Sequence, residues 1–162
     1  MVTTGILTIS TTGAAGERAD TSGDAIRELV TAPPLEASVA EYAIVPDDRA
    51  TIEATLRHWA DDLRLNLILT TGGTGLSPTD ATPEATLAVV DRLVPGMAEA
   101  MRAESLRHTP FGMLSRAVAG ARGATLIINL PGSPKGVREC LAVLLPALPH
   151  AVAILTGGPA GH

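Results

Sequence analysis

Aromatic side chains are almost missing from this sequence: one Trp, one Tyr and one Phe among 162 residues. A core without them must be built from Ala, Val, Leu and Ile, and a surface without them offers no stacking platform for single-stranded nucleic acid. Basic residues are in the minority too. Twelve Lys and Arg face 17 Asp and Glu, and the net charge of −5 argues against a nucleic-acid partner. Cys140 is the single cysteine, so neither an intrachain disulfide nor a thiolate metal cluster can form. Its setting, VRECLAVLL, reads as a helical face with a buried, inert thiol. His58, His108, His150 and His162 lack the spacing of a metal site and read as surface or capping residues. The opening MVTTGILTIS is no signal peptide, and LAVLLPAL is too short to cross a bilayer; the sequence predicts a soluble, cytoplasmic protein with no membrane partner.

What is present is 46% apolar residue with 16 Gly and 12 Pro, the composition of an α/β domain with many short turns. One domain over residues 1–162 is expected. Strands are predicted at Gly5–Ser10, Ser38–Val45, within NLILTT and at Ala124–Leu130, with a further one at AVAILTGG. Helices fall between them. One runs from about Gly23 to Pro33, and another, RATIEATLRHWADDL, is capped by Asp47 or Asp48. A third has Thr82 as N-cap, Pro83 and Glu84 in its first turn, and an apolar face of Leu87, Val90 and Leu93. VPG breaks that helix before MAEAMRAESLRH resumes one. TPFGMLSRAVAGARG reads as a loop with a short helix, and VRECLAVLLPAL as the last long helix. Such alternation predicts a mostly parallel central sheet with helices on both faces.

In such sheets ligands bind beyond the carboxyl ends of the strands. Three strands end there in polar or glycine-rich signatures: VPDD, TTGGTG and LPGSPKG. The glycines of Thr70–Gly75 leave amide groups bare, and the threonines add hydroxyl donors, so this turn suits an anion. It has neither the GK[ST] end of a Walker loop nor the third glycine of a dinucleotide fingerprint. Ser133 caps the helix after LPGSPKG, Pro134 fits its first position, and Lys135 adds charge where the helix dipole already favours an anion. Asp47, Asp48 and Asp80 are hard oxygen donors on the same edge. Carboxylates beside two anion sites repel phosphates unless a cation joins them, which points to Mg²⁺-assisted phosphate or nucleotide chemistry.

VPDD, LTTGGTGLSPTDATPEAT and INLPGSPKG, in this order, resemble the MogA/MoaB family of molybdenum-cofactor biosynthesis proteins, shared with the G domain of gephyrin. With the looser TISTTGAAGERADTSG the resemblance spans nearly the whole chain. It implies a three-layer α/β sandwich of the molybdopterin-binding type. It also implies a molybdopterin adenylyltransferase, in which the phosphate of molybdopterin attacks the α-phosphorus of Mg-ATP and pyrophosphate leaves. By position, Asp47 and Asp80 match the family's catalytic, metal-associated aspartates. Thr71, Gly72, Gly73, Thr74, Gly75 and Ser77 match the phosphate loop, and Pro131, Gly132, Ser133 and Lys135 the second loop. Homotrimers or hexamers are implied, with hand-over of product to a molybdenum-inserting enzyme.

The chain departs from that pattern twice. Thr79 stands where many relatives carry Arg, leaving Lys135, Arg49 or Arg116 to supply the cation. Thr11 stands where an Asp usually follows Ser10, while Asp20 matches the later acid. A non-catalytic molybdopterin-binding or assembly paralogue is the alternative, and CinA-like enzymes, which carry Leu in place of Thr74, are a third. With so few aromatics, a bound adenine or pterin ring is expected to rest on aliphatic and backbone surfaces.

Overall fold

Side chains along the central strands alternate between two separate cores. In the computed structural model, which describes residues 1–158, β1 (Thr3–Ile9), β3 (Leu67–Thr71) and β6 (Thr125–Leu130) lie side by side and are almost wholly buried. Ile6, Leu67, Leu69, Leu126 and Ile128 point to one core, and Leu7, Ile9, Ile68 and Ile127 to the other. That is the period of two expected of strands covered on both faces. β2 (Ser38–Val45) pairs parallel to β1 at one edge. Two short strands, β4 (Arg92–Leu93) and β5 (Ala119–Arg122), extend the other edge antiparallel, in the order β2-β1-β3-β6-β5-β4.

Helices cover both faces. On the first lie α2 (Thr21–Thr31), α5 (Pro95–His108), α6 (Pro134–Leu144) and α7 (Leu148–Leu155), which add Ile26, Met101, Leu141 and Leu148 to the core. On the second lie α3 (Arg49–Arg57), its wider continuation His58–Asp62, and α4 (Thr82–Val89), with Ile52, Trp59 and Val89 inward. A four-residue turn of helix, α1 (Thr11–Ala14), follows β1. The predicted three-layer α/β architecture with a mostly parallel sheet is the one observed.

Several local expectations need correction. AVAILTGG is helix α7 and the turn that follows it, and β4 and β5 are strands within stretches read as helix end and loop. Pro95 does not break a helix but starts α5. Leu87 and Leu93 are exposed, so α4 buries Ala85, Thr86 and Val89 instead. Ala81, not Thr82, is its N-cap position. LAVLLPAL belongs to a helical run of 22 residues, Pro134–Leu155, whose most apolar 18-residue stretch has mean hydropathy 1.5. By length alone that run meets the size of a membrane span. Within it, however, Val137, Cys140, Leu141, Leu144 and Leu148 are buried against the sheet. His162 lies outside the described residues.

Candidate functional site

The four parallel strands end on one edge of the sheet, and the turns leaving them meet there. β3 ends at Thr71, and the chain then takes positive φ at Gly72 (98°) and Gly73 (70°). Only glycine adopts these values without strain, and here a side chain has no room either: a Cβ on Gly72 would overlap the carbonyl oxygen of Ile9. β6 ends at Leu130, whose carbonyl accepts from the Gly72 amide at 3.3 Å, and Thr71 Oγ1 donates to the Pro131 carbonyl at 2.6 Å. Ser22 of α2 donates to the Gly132 carbonyl at 2.7 Å. The two predicted loops are therefore stitched to each other and to a helix.

A buried polar chain supports the glycine loop from below. Asn129 on β6 donates to Thr70 Oγ1 (3.0 Å) and Thr86 Oγ1 (2.9 Å) and accepts from the Val118 amide (3.1 Å). Thr86 donates to the Thr82 carbonyl at 2.8 Å, and Thr82 donates its hydroxyl to Gly72 O at 2.9 Å and its amide to Gly73 O at 3.2 Å. Thr82 thus anchors the loop. Every polar atom of the Asn129 side chain is paired, the condition under which a buried network is rigid rather than costly.

The loop is a wall between two cavities. The first, about 310 Å³, is lined by Thr11, Asp20, Asp47, Asp80, Gly72 and Gly73 among others. The second, about 330 Å³, lies on the other side and takes in Thr74, Gly75, Pro131, Ser133, Lys135 and Phe111. Of the predicted site residues, Asp47, Asp80, Thr71, Gly72, Gly73 and Gly132 thus line the first cavity, and Thr74, Gly75, Pro131, Ser133 and Lys135 the second. Ser77 lines neither, but its amide holds Asp80 at 3.2 Å.

The acids play different parts. Asp48 caps α3, accepting from the amide and hydroxyl of Thr51, which hold its carboxyl below the usual range. Asp20 caps α2 through the Gly23 amide and takes Thr8 Oγ1 and the Tyr42 hydroxyl on its other oxygen, so both oxygens are committed. Burial, and then this contact with Asp20, push the Tyr42 phenol well above its usual value. Asp47 and Asp80 each keep one oxygen without a hydrogen bond among the described residues. Asp47 Oδ2 takes Thr11 Oγ1 at 3.0 Å, and Asp80 Oδ2 takes the amides of Gly75 (3.0 Å) and Ser77 (3.2 Å). Among the described residues no three His, Cys, Asp or Glu gather as a metal cage. Two carboxylates, each with a free oxygen, on one cavity of about 310 Å³ fit an ion such as Mg²⁺, which keeps waters and takes its remaining ligands from substrate.

Of the three cations the sequence offers, Lys135 lines one of the two cavities, and Arg49 and Arg116 line neither. Arg49 pairs with Glu53 at 2.8 Å. Lys135 stands in the second cavity, beside the N-terminus of α6, where Ser133 caps by accepting the Gly136 amide at 3.0 Å. Arg116 is spent on the glycine loop and on Glu84, whose carboxyl it holds below the usual range. The cation lining the first cavity is Arg18, in the turn before α2. Arg18 and Thr11 were legible in principle: β1 is a fourth parallel strand, and its turn ends on the same edge as the other three. The second cavity carries Phe111 at its rim, 74% exposed, while Trp59 is buried in the core.

Residues 5–150 match the family described as a probable molybdopterin binding domain. The molybdopterin adenylyltransferase of Helicobacter pylori strain J99 is 43% identical over 153 residues, covering 94% of this chain and 87% of that protein. That of Escherichia coli K12 is 42% identical over 137 residues, covering 85% of this chain and 70% of its own. The solved structure of the molybdopterin biosynthesis enzyme MoaB from Thermus thermophilus superposes with a TM-score of 0.92 at 56% identity, covering 99% of this chain and 100% of that one.

Proposed function

The chain belongs to the family of probable molybdopterin binding domains, and from that premise we propose that it is a molybdopterin adenylyltransferase, moving AMP from ATP to the phosphate of molybdopterin. An oxygen of the pterin phosphate forms a bond to the α-phosphorus of ATP, the bond from that phosphorus to the bridging oxygen breaks, and pyrophosphate leaves with the electron pair. Two polyanions must meet without either being the protein's own nucleophile. Catalysis then reduces to placing them and offsetting their charge.

One observation carries this reading: a single stretch of backbone, Gly72–Gly75, separates two cavities of similar volume. We assign the ATP phosphates to the first cavity, beside Asp47 and Asp80, and the pterin phosphate to the second, beside Lys135 and the N-terminus of α6. Asp47 and Asp80 would hold Mg²⁺, which when bound supplies positive charge to the phosphates. Thr11 aims Asp47, the amides of Gly75 and Ser77 aim Asp80, and the glycine amides meet phosphate from either side of the wall. Assembly as a homotrimer or hexamer and hand-over to a metal-inserting enzyme belong to the same proposal.

The test is pyrophosphate release from Mg-ATP with molybdopterin present, wild type against Asp80→Asn. Asparagine retains an oxygen for the amides of Gly75 and Ser77 but loses the charge. The expected loss of turnover is at least about 100-fold. Turnover within a few-fold of wild type in the variant would overturn the role of Asp80. A wild type that binds both substrates without turnover would identify a binding module instead.

A further inference from the structure

Between Gly75 and Asp80 the loop makes an excursion, Leu76–Thr79, in which all four residues are exposed. Its two ends are fastened by one side chain that is remote in sequence. Arg116 donates Nε to the Gly75 carbonyl at 2.8 Å and Nη2 to the Asp80 carbonyl at 3.1 Å. Its Nη1 meets Glu84 Oε2 at 2.6 Å, on the first turn of α4, and its own amide donates to the Thr74 carbonyl at 2.9 Å. A guanidinium is planar with its donors in fixed directions, so the two carbonyl bonds set the separation of residues 75 and 80, and the bond to Glu84 fixes the plane, in a way no flexible ammonium reproduces. The neighbouring peptides are held in turn, since Arg102 Nη1 donates to the carbonyls of Ser115 (3.3 Å) and Ala117 (3.0 Å).

We infer that Arg116 is a positioning residue for the transfer reaction: it closes the excursion so that Asp80 faces the first cavity in a fixed register with the glycine amides. The inference rests on the adenylyl-transfer reading. Arg116 lines neither cavity, and each of its three guanidinium nitrogens already donates to a protein oxygen, so it acts on the reaction through the protein and not by touching substrate. Its removal therefore acts through Asp80 and not through the grip on ATP. Leu114 and Ser115, immediately before it, line the second cavity, so the same short peptide borders that seat and fastens the loop that carries Asp80.

Three measurements on Arg116→Gln and Arg116→Lys test this. In Arg116→Gln, kcat falls by about 30–100-fold while the KM for ATP stays within about threefold, and the Mg²⁺ concentration for half-maximal rate rises. Arg116→Lys, able to reach one carbonyl but not both, recovers only part of the rate. It also carries the test if the glutamine variant does not fold. Independently of activity, hydrogen exchange at the amides of Gly75 and Ser77, the donors to Asp80, accelerates by about tenfold or more, while the amides of β3 and β6 keep their protection. The inference is overturned by a folded Arg116→Gln protein with unchanged kcat and Mg²⁺ dependence. It is also overturned by a raised KM for ATP without faster exchange at residues 75 and 77, which would make Arg116 a direct phosphate ligand. Faster exchange across the whole sheet would show a purely structural role and overturn it too. A wild type without turnover refutes the transferase reading itself, an outcome distinct from all of these.

Discussion

Gly72 and Ile9 approach so closely that the space for one methyl group is already filled by the Ile9 carbonyl oxygen. Gly72 also sits at φ 98°. Two costs therefore coincide in Gly72→Ala, a disfavoured backbone and a backbone clash, and the expected destabilisation is at least about 2 kcal/mol by denaturant melting. Gly132→Ala is the control. Its nearest neighbour would be the Gly72 Cα at 3.4 Å, ordinary contact, and its φ is not positive, so its stability should change little. Equal losses in the two variants would contradict the assigned crowding.

Thr11 holds Asp47 by two bonds, donating its hydroxyl to Oδ2 at 3.0 Å and accepting the Asp47 amide at 3.2 Å. Thr11 is exposed, so Thr11→Val should leave the melting temperature nearly unchanged. Turnover should fall by about tenfold because the carboxylate is no longer aimed. A rate equal to wild type would show that Asp47 needs no orientation.

Arg18 is the cation facing three carboxylates in the first cavity. Arg18→Ala should raise the KM for ATP by about three- to tenfold, with kcat less affected. The penalty should shrink as salt screens an exposed charge. An unchanged KM at low salt would place this side chain in solvent and nowhere else.

Tyr42 is the only tyrosine, so alkaline absorbance reads it without interference. Burial and its hydroxyl's bond to Asp20 raise the phenol above its usual 10.0. A raised value in the folded state means that the neutral phenol contributes stability below pH 10.0, and that this contribution is lost as pH climbs toward the folded value. The titration midpoint should lie clearly above 10.0, and the stability gap between wild type and Tyr42→Phe should narrow above that pH. A midpoint at the ordinary value would refute the contact.

Much of the architecture was readable because the inner strands are unbroken apolar runs. Ser38–Val45 coincides with β2, and the runs at β1, β3 and β6 differ only at their ends. β5 was not readable: AGAR has no β-branched or aromatic residue, and it becomes a strand only because β6 offers it an edge. AVAILTGG misled for the opposite reason, since Val and Ile suit a strand until Leu148 and Val152 find a helical face against the core. At the site, the aspartates and glycines were legible from their place after strands. The bonds of Arg116 were not, because they join positions 41 and 36 residues apart, and no local pattern announces such a reach.

The partition between the two cavities is made of peptide groups, and that bears on how such a site drifts over generations. Codon changes alter side chains and leave main chain alone. Rims such as Arg18, Lys135 and Phe111 are therefore free to vary and retune what is admitted on either side. The divider itself is exposed to mutation through one side chain, Thr74, and otherwise only through its glycines, where nearly every change is a loss. A lineage carrying this fold should keep two compartments long after it has changed their contents.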